Sequence, residues 1–185
     1  MKSREPCPGG KQASRGWTVI EILVTAAIIG LLAAVIIPSS QRIKAAAMST
    51  QCLGKLRGLG VALNDYFTEK GPIYPDMVSA RESKADDAPA MDTVLADYVR
   101  DEYAFQCPAD HEGLFEKTGT SYFWNSLISG QRFGQVDLLG LTQDESGIPL
   151  MSDKENFHEN IGDEVNVLYA DGHVLKELQF SVGPR

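Results

Sequence analysis

Three histidines, three cysteines and a band of carboxylates are the side chains here that could do chemistry beyond packing. Cys107 and His111 stand at a Cys-x3-His spacing that could seed a zinc site, but no second ligand pair at helical or knuckle spacing accompanies them. His158, Asp171 and His173 could form a metal-binding or catalytic trio, the kind a membrane-tethered hydrolase would use. Against that, Asp171 already serves an Asp-Gly turn and His173 opens a strand. No GxSxG, HExxH, CxxC or phosphate-binding glycine loop occurs, so the expectation is a chain with no catalytic residues. Asp144, Glu145, Asp153, Glu155 and Glu159 crowd one polar region without EF-hand spacing, which predicts a solvated acidic surface.

The element that governs the rest is apolar. From Trp17 to Ile37 the chain reads WTVIEILVTAAIIGLLAAVII, with Glu21 its only charge and no proline. As a helix it reaches about 31 Å, enough to cross the hydrocarbon core of a bilayer. It has no polar stripe, so it does not suit an amphipathic helix on a soluble protein. Glu21, one turn inside, is costly in lipid unless it reaches the interface or meets a partner, and a positive charge on another copy of the same helix would serve. Ahead of the block Lys2, Arg4, Lys11 and Arg15 face Glu5 alone, a basic head laid out like an address. Arg42 and Lys44 lie just past the block, so the positive-inside asymmetry is small.

The remainder is acidic and ordinary in composition. The net charge over 185 residues is −8, with 43% hydrophobic and 23% charged residues. Those values exclude disorder and a multi-span membrane protein, and the acidic balance argues against nucleic-acid binding. Past Pro38, which should kink or loosen the helix, Cys52, Leu56, Leu59, Leu63 and Tyr66 repeat as one apolar face. Lys70-Gly71-Pro72 should stop it. Gly54, Gly58 and Gly60 would let a small sheet approach closely. Ala80 to Ala90 is expected to be a surface loop, and Met91, Val94, Leu95 and Tyr98 to form a second short helix. Ser121-Tyr122-Phe123-Trp124-Asn125 has strand-like aromatic content. Val165 to Ala170 and His173 to Leu178 should form a tight hairpin across the two-residue turn Asp171-Gly172, with positive φ.

Gly16-Trp17-Thr18-Val19-Ile20-Glu21-Ile22-Leu23-Val24, behind a basic leader and ahead of a long apolar run to Pro38, resembles the class III signal of type IV pilins and type II secretion pseudopilins. The resemblance implies that a membrane prepilin peptidase cuts between Gly16 and Trp17 and N-methylates the new first residue. Trp17 stands where the family usually has phenylalanine. Glu21 becomes the fifth residue of the mature chain, able to pair with a neighbour's new amino group and set axial register. An uncleaved signal anchor is the alternative, since an ordinary secretory signal is cut after its apolar region. Family members also carry a proline near Pro38, in a helix that bends or melts on assembly.

Further along, Cys52, the Cys-Pro-Ala-Asp run at 107–110, Ser-Tyr-x-x-Asn at 121–125 and Asn-Val-Leu-Tyr-Ala-Asp-Gly-His-Val at 166–174 look like a pseudopilin-like branch. That branch has a histidine nine residues before a terminal Asp-Gly. Here the nearest, His158, has twelve residues between it and Asp171. Cys7 lies in the leader. Cys52 and Cys107 would face an oxidising compartment once exported, either bridged across 55 residues or as two buried thiols. Related major pseudopilins use a loop-bound calcium, but without EF-hand spacing in the acidic region the expectation is a chain with no cofactor.

The expected fold is α+β, a long N-terminal helix, half of it transmembrane, on a small antiparallel sheet. The expected divisions are a leader at 1–16, an assembly segment at 17–38, an amphipathic helical half at 39–70 and a head at 71–185. The resemblance implies a structural subunit of a pseudopilus or pilus-like filament, held in the cytoplasmic membrane by a single pass with its head outside the cytoplasm. Its partners would be the prepilin peptidase, copies of itself, other pseudopilins and an assembly platform, and type II secretion its service. The alternative is a monomeric anchored protein whose head binds or hydrolyses a ligand.

Overall fold

The computed structural model describes residues 16–158 and 165–176. By its contacts the chain forms two units, Met1–Ser40 and Gln41–Arg185. Helix α1, Val19–Lys70, contributes to both.

In the first unit none of the described residues is buried. Trp17 is 73% exposed and Leu31 72%. This part of α1 is long and apolar enough to cross a membrane. Helical assignment continues through Pro38, so the expected kink does not interrupt it. The Ser39 and Ser40 hydroxyls donate to the carbonyls of Ile36 and Ile37 at 2.9 and 2.8 Å. Such local bonds help satisfy carbonyls near a proline that has no N–H.

In the second unit the apolar face of α1 is the one its spacing predicts: Cys52, Leu56, Leu59 and Leu63 are all buried. The helix ends at Gly71, with φ +99°, whose N–H donates to the Phe67 carbonyl at 3.0 Å. Helix α2, Met91–Val94, continues into a 3₁₀ turn, Ala96–Tyr98, and buries Met91 and Leu95. A second 3₁₀ turn, Glu102–Phe105, and helix α3, Leu114–Thr118, follow.

Four antiparallel strands lie in chain order, β1 Tyr122–Trp124, β2 Pro149–Asp153, β3 Val167–Tyr169 and β4 Val174–Leu175. Tyr122, Trp124, Met151, Leu168 and the α1 face share one core with Tyr74, Phe105 and Ile148. Aromatic and aliphatic burial of this extent is the main favourable term in folding the unit. The architecture is α+β, as expected.

Two local expectations need correction. The hairpin between β3 and β4 has a three-residue loop rather than two. The pairs Val167–Leu175 and Leu168–Val174 fix the register, and the Tyr169 N–H donates to the His173 carbonyl at 2.9 Å. Within the loop the Gly172 N–H returns to the Tyr169 carbonyl, and Gly172, at φ +88°, is the loop's one positive-φ residue. A turn followed by one left-handed residue matches strand twist as well as a two-residue primed turn does, at a lower conformational cost for Asp171. The predicted strand beyond Lys176 lies outside the described residues. Of Gly54, Gly58 and Gly60, only Gly60 meets the sheet, since a Cβ there would lie 3.3 Å from Leu168 Cδ2. Gly54 and Gly58 face open space.

Candidate functional site

Two places bring chemistry-bearing residues together. The first is the start of α1. Thr18 and Glu21 form a reciprocal cap there: the Thr18 N–H and hydroxyl each donate to Glu21 Oε2 at 2.8 Å, and the Glu21 N–H donates to Thr18 Oγ1 at 3.3 Å. A helix start leaves four N–H groups without intrahelical partners, and the Thr-x-x-Glu pattern satisfies two groups at once. Glu21 therefore has a partner inside its own chain, legible as a capping pattern but not drawn from the sequence above. Trp17 is one residue from this cap, and Gly16 immediately precedes it. Residues 1–15 of the expected leader lie outside the described residues.

The second place is in the head. Cys52 projects from α1, Cys107 opens the turn after Glu102–Phe105, Asp153 ends β2, and His158 lies in the turn beyond. The two cysteines are joined as a disulfide, with Cα atoms 5.2 Å apart. Asp153 Oδ1 lies 3.3 Å from Cys52 Sγ, and His158 Nε2 lies 3.6 Å from both Cys107 Sγ and Asp153 Oδ2. All four residues are buried. The Tyr122 hydroxyl is 3.4 Å from Cys52 Sγ. Asn166 donates from its N–H and its side-chain amide to Asp153 Oδ2, at 2.9 and 2.7 Å.

Burial pushes the Asp153 carboxyl up to about 6, against the two Asn166 hydrogen bonds that favour its charged form. A folded pKa above the unfolded value means that this group's contribution to stability is complete below about pH 4 and is lost as pH rises through 6. In the disulfide-bonded, metal-free chain, Asp153→Asn is therefore expected to gain stability relative to the parent as pH rises from 4 to 7, with no further gain above 7. Thermal unfolding midpoints of the two proteins across that range check it; a constant difference would contradict it.

The other predicted residues separate from this cluster. Among the described residues, Cys52, Cys107, Asp153 and His158 are the one group of three or more cysteine, histidine or acidic side chains placed to share an ion. Asp171 and His173 are not in it. They serve the hairpin, where the His173 N–H donates to Asp171 Oδ1 at 3.1 Å and the His173 ring stacks on Tyr169. His111 is exposed and is not the partner of Cys107. Asp153 departs from the predicted acidic surface by being buried, whereas Asp144 caps the turn Glu145–Gly147 through its contacts with Ser146. Glu159 lies outside the described residues.

The short runs that carried the resemblance have structural work. In Cys-Pro-Ala-Asp, Asp110 accepts from the Leu114 and Phe115 N–H groups at 3.0 and 2.9 Å and from the Ser121 hydroxyl at 2.7 Å. Burial raises its pKa, but these bonds outweigh it and hold the carboxyl below the usual range. In Ser-Tyr-x-x-Asn, Asn125 donates through its side-chain amide to the Pro149 carbonyl at 2.8 Å, tying β1 to β2.

No protein-family model and no solved structure matches the chain. Curated proteins do. It is 34% identical over 65 residues to fimbrial protein EcpC of Eikenella corrodens, spanning 35% of this chain and 42% of that protein. With the type IV major pilin protein PilA of Myxococcus xanthus it shares 37% over 57 residues, 31% of this chain and 26% of that one. Both matches thus span less than half of the relative. Type II secretion system core protein G of Klebsiella pneumoniae is 28% identical over 142 residues, covering 77% of this chain and 92% of that protein. The core protein G of Escherichia coli is 31% identical over 130 residues, covering 70% and 82%. With an apolar N-terminal helix, a small antiparallel sheet and a match that covers most of core protein G, the chain belongs to the type II secretion core protein G family of pseudopilins.

Proposed function

We propose that the chain is a structural subunit of a membrane-anchored filament serving type II secretion. Prepilin peptidase removes residues 1–16 and leaves Trp17 as the first, N-methylated residue. The subunit then waits in the cytoplasmic membrane, spanning it once through the segment 17–38, with the helical half 39–70 and the head 71–185 outside the cytoplasm. It polymerises with its own copies and other pseudopilins on an assembly platform. The observation that carries this is the first unit of α1, an apolar helix whose described residues are all unburied within the subunit. Lipid can cover such a surface first and neighbouring helices afterwards, so extraction from the membrane is offset by packing.

Glu21 is the assembly residue in this scheme, and the cap at Thr18 refines it. In the lone subunit Glu21 is held by its own Thr18; in the filament the carboxylate turns to the amino group of a neighbour's Trp17, where low dielectric strengthens the pair. Glu21→Gln can keep the cap but not the charge. Glu21→Ala loses both. Both variants are expected to insert and be trimmed normally yet fail to enter filaments, read by N-terminal sequencing and by the sheared-filament fraction. Normal incorporation of Glu21→Gln would reject a charge pair between subunits, and a mature chain beginning at Met1 would reject the processed subunit altogether.

A further inference from the structure

We propose that Cys52, Cys107, Asp153 and His158 form a four-ligand site for a zinc-class divalent cation when the Cys52–Cys107 bond is open. The four ligand atoms lie within 4.8 Å of one another, and all four residues are buried. Zinc bonds of about 2.3 Å to sulfur and about 2.0–2.1 Å to nitrogen or oxygen place tetrahedral ligands about 3.3–3.8 Å apart. With Asp153 Oδ1 as its fourth ligand atom, the edges from Cys107 Sγ to His158 Nε2 and from Cys52 Sγ to Asp153 Oδ1 are 3.6 and 3.3 Å. The sulfur–sulfur edge is shorter, because a covalent bond closes it.

Two further observations point to a cation rather than to a disulfide alone. A disulfide sulfur has no hydrogen to give, yet Asp153 Oδ1 is turned toward Cys52 Sγ in a site that water does not reach. A carboxylate placed so is stabilised by a positive charge between it and the sulfurs. Asp153 is also oriented as a metal ligand's carboxylate is, with Oδ2 held by both Asn166 donors. Two sulfurs and one imidazole select a borderline-soft ion over calcium or magnesium, which take oxygen ligands.

The chemistry balances in two steps. A dithiol reductant delivers two electrons and two protons to the Cys52–Cys107 bond, yielding two thiols and the reductant's own cyclic disulfide. The cation then forms two metal–sulfur bonds, one to His158 Nε2 and one to Asp153, and the two thiol protons pass to solvent. The disulfide and the metal-bound state are mutually exclusive. The four residues thus give the head two alternative closures of the same 55-residue loop, one covalent and one coordinate.

The test uses the full-length chain in detergent micelles, reduced with a dithiol that is then removed, and titrated with Co²⁺ alone or Zn²⁺ alone. The expected result is one Co²⁺ per chain with a thiolate-to-cobalt charge-transfer band and tetrahedral visible bands, both abolished by one equivalent of Zn²⁺. Zinc should protect both Cys52 and Cys107 from alkylation, and the oxidised chain should show no band. His158→Ala and Asp153→Asn should each weaken Co²⁺ binding at least about tenfold. Circular dichroism follows folding in every sample. A reduced chain that folds only on adding Zn²⁺ supports the site. A reduced chain that shows no band with Co²⁺, whether folded or not, or a band that both variants leave unchanged overturns it.

Discussion

Replacing Cys52 and Cys107 together by alanine is expected to lower the stability of the oxidised protein by about 4 kcal/mol, the loop-closure entropy of a 55-residue loop in the chain-entropy model. The pair fastens α1 to the connection that carries Asp110 and α3, so its loss frees the unfolded chain across much of the head. The side-chain volume lost at two fully buried positions adds to the cost. Urea unfolding of parent and variant, each with and without a dithiol, measures it. The parent should fall toward the variant on reduction in metal-free buffer, and the variant should not respond. Equal midpoints for oxidised parent and variant would mean that the bond does not constrain the unfolded chain.

Arg81→Met is expected to cost about 3–5 kcal/mol, because it leaves the Asp92 carboxylate buried without its cation. Arg81 pairs with Asp92 Oδ2 and donates from Nε to the Thr118 carbonyl at 2.8 Å, and the two side chains are 4% and 10% exposed. A Cβ at Gly119 would run into both groups, so the backbone itself closes over the pair. The double variant Arg81→Met, Asp92→Leu should recover most of the loss, since a buried pair replaced by apolar groups of similar volume is often neutral. Denaturant midpoints of the two single variants and the double variant close the cycle. If Arg81→Met alone changes the midpoint by less than 1 kcal/mol, the pair is solvated in a way its burial does not suggest.

Arg81 also marks where the sequence was least legible. The stretch from Ala80 to Ala90 has the polar, proline-containing look of a surface loop, and it does run without regular structure. Yet its single arginine is buried, because α2 and the end of α3 supply a carboxylate and a carbonyl from 11 and 37 residues away. Strand β2 was missed for a related reason. Pro149–Asp153 is apolar only in part, and its pairing partners lie on β1 and β3, which no local pattern connects to it. By contrast, the α1 face from Cys52 to Leu63 was readable at once, since a helical repeat is a property of the segment itself.

The candidate residues divide in the same manner. Gly16, Trp17 and Glu21 stand out by order along the chain, and so does the Thr18 cap that the Thr-x-x-Glu spacing carries. Cys52, Cys107 and His158 were each visible singly, but His158 was grouped with Asp171 and His173, which instead hold the hairpin tip. Asp153 was assigned to an exposed acidic band, and nothing in its neighbours says that it would be buried.

Everything that depends on short spacing or on transfer between solvents is thus written along the chain: an apolar segment that water rejects, the capped start of its helix, the helical face that follows, and the kinship that these carry. Which distant groups meet is settled by the fold alone. Cys52 reaches Asp153 across 101 residues, and Cys107 reaches His158 across 51. Contacts of that range depend on how the sheet is registered and where α1 lies across it. A shift of one residue in β2 would turn Asp153 to the other face of the sheet, away from both cysteines.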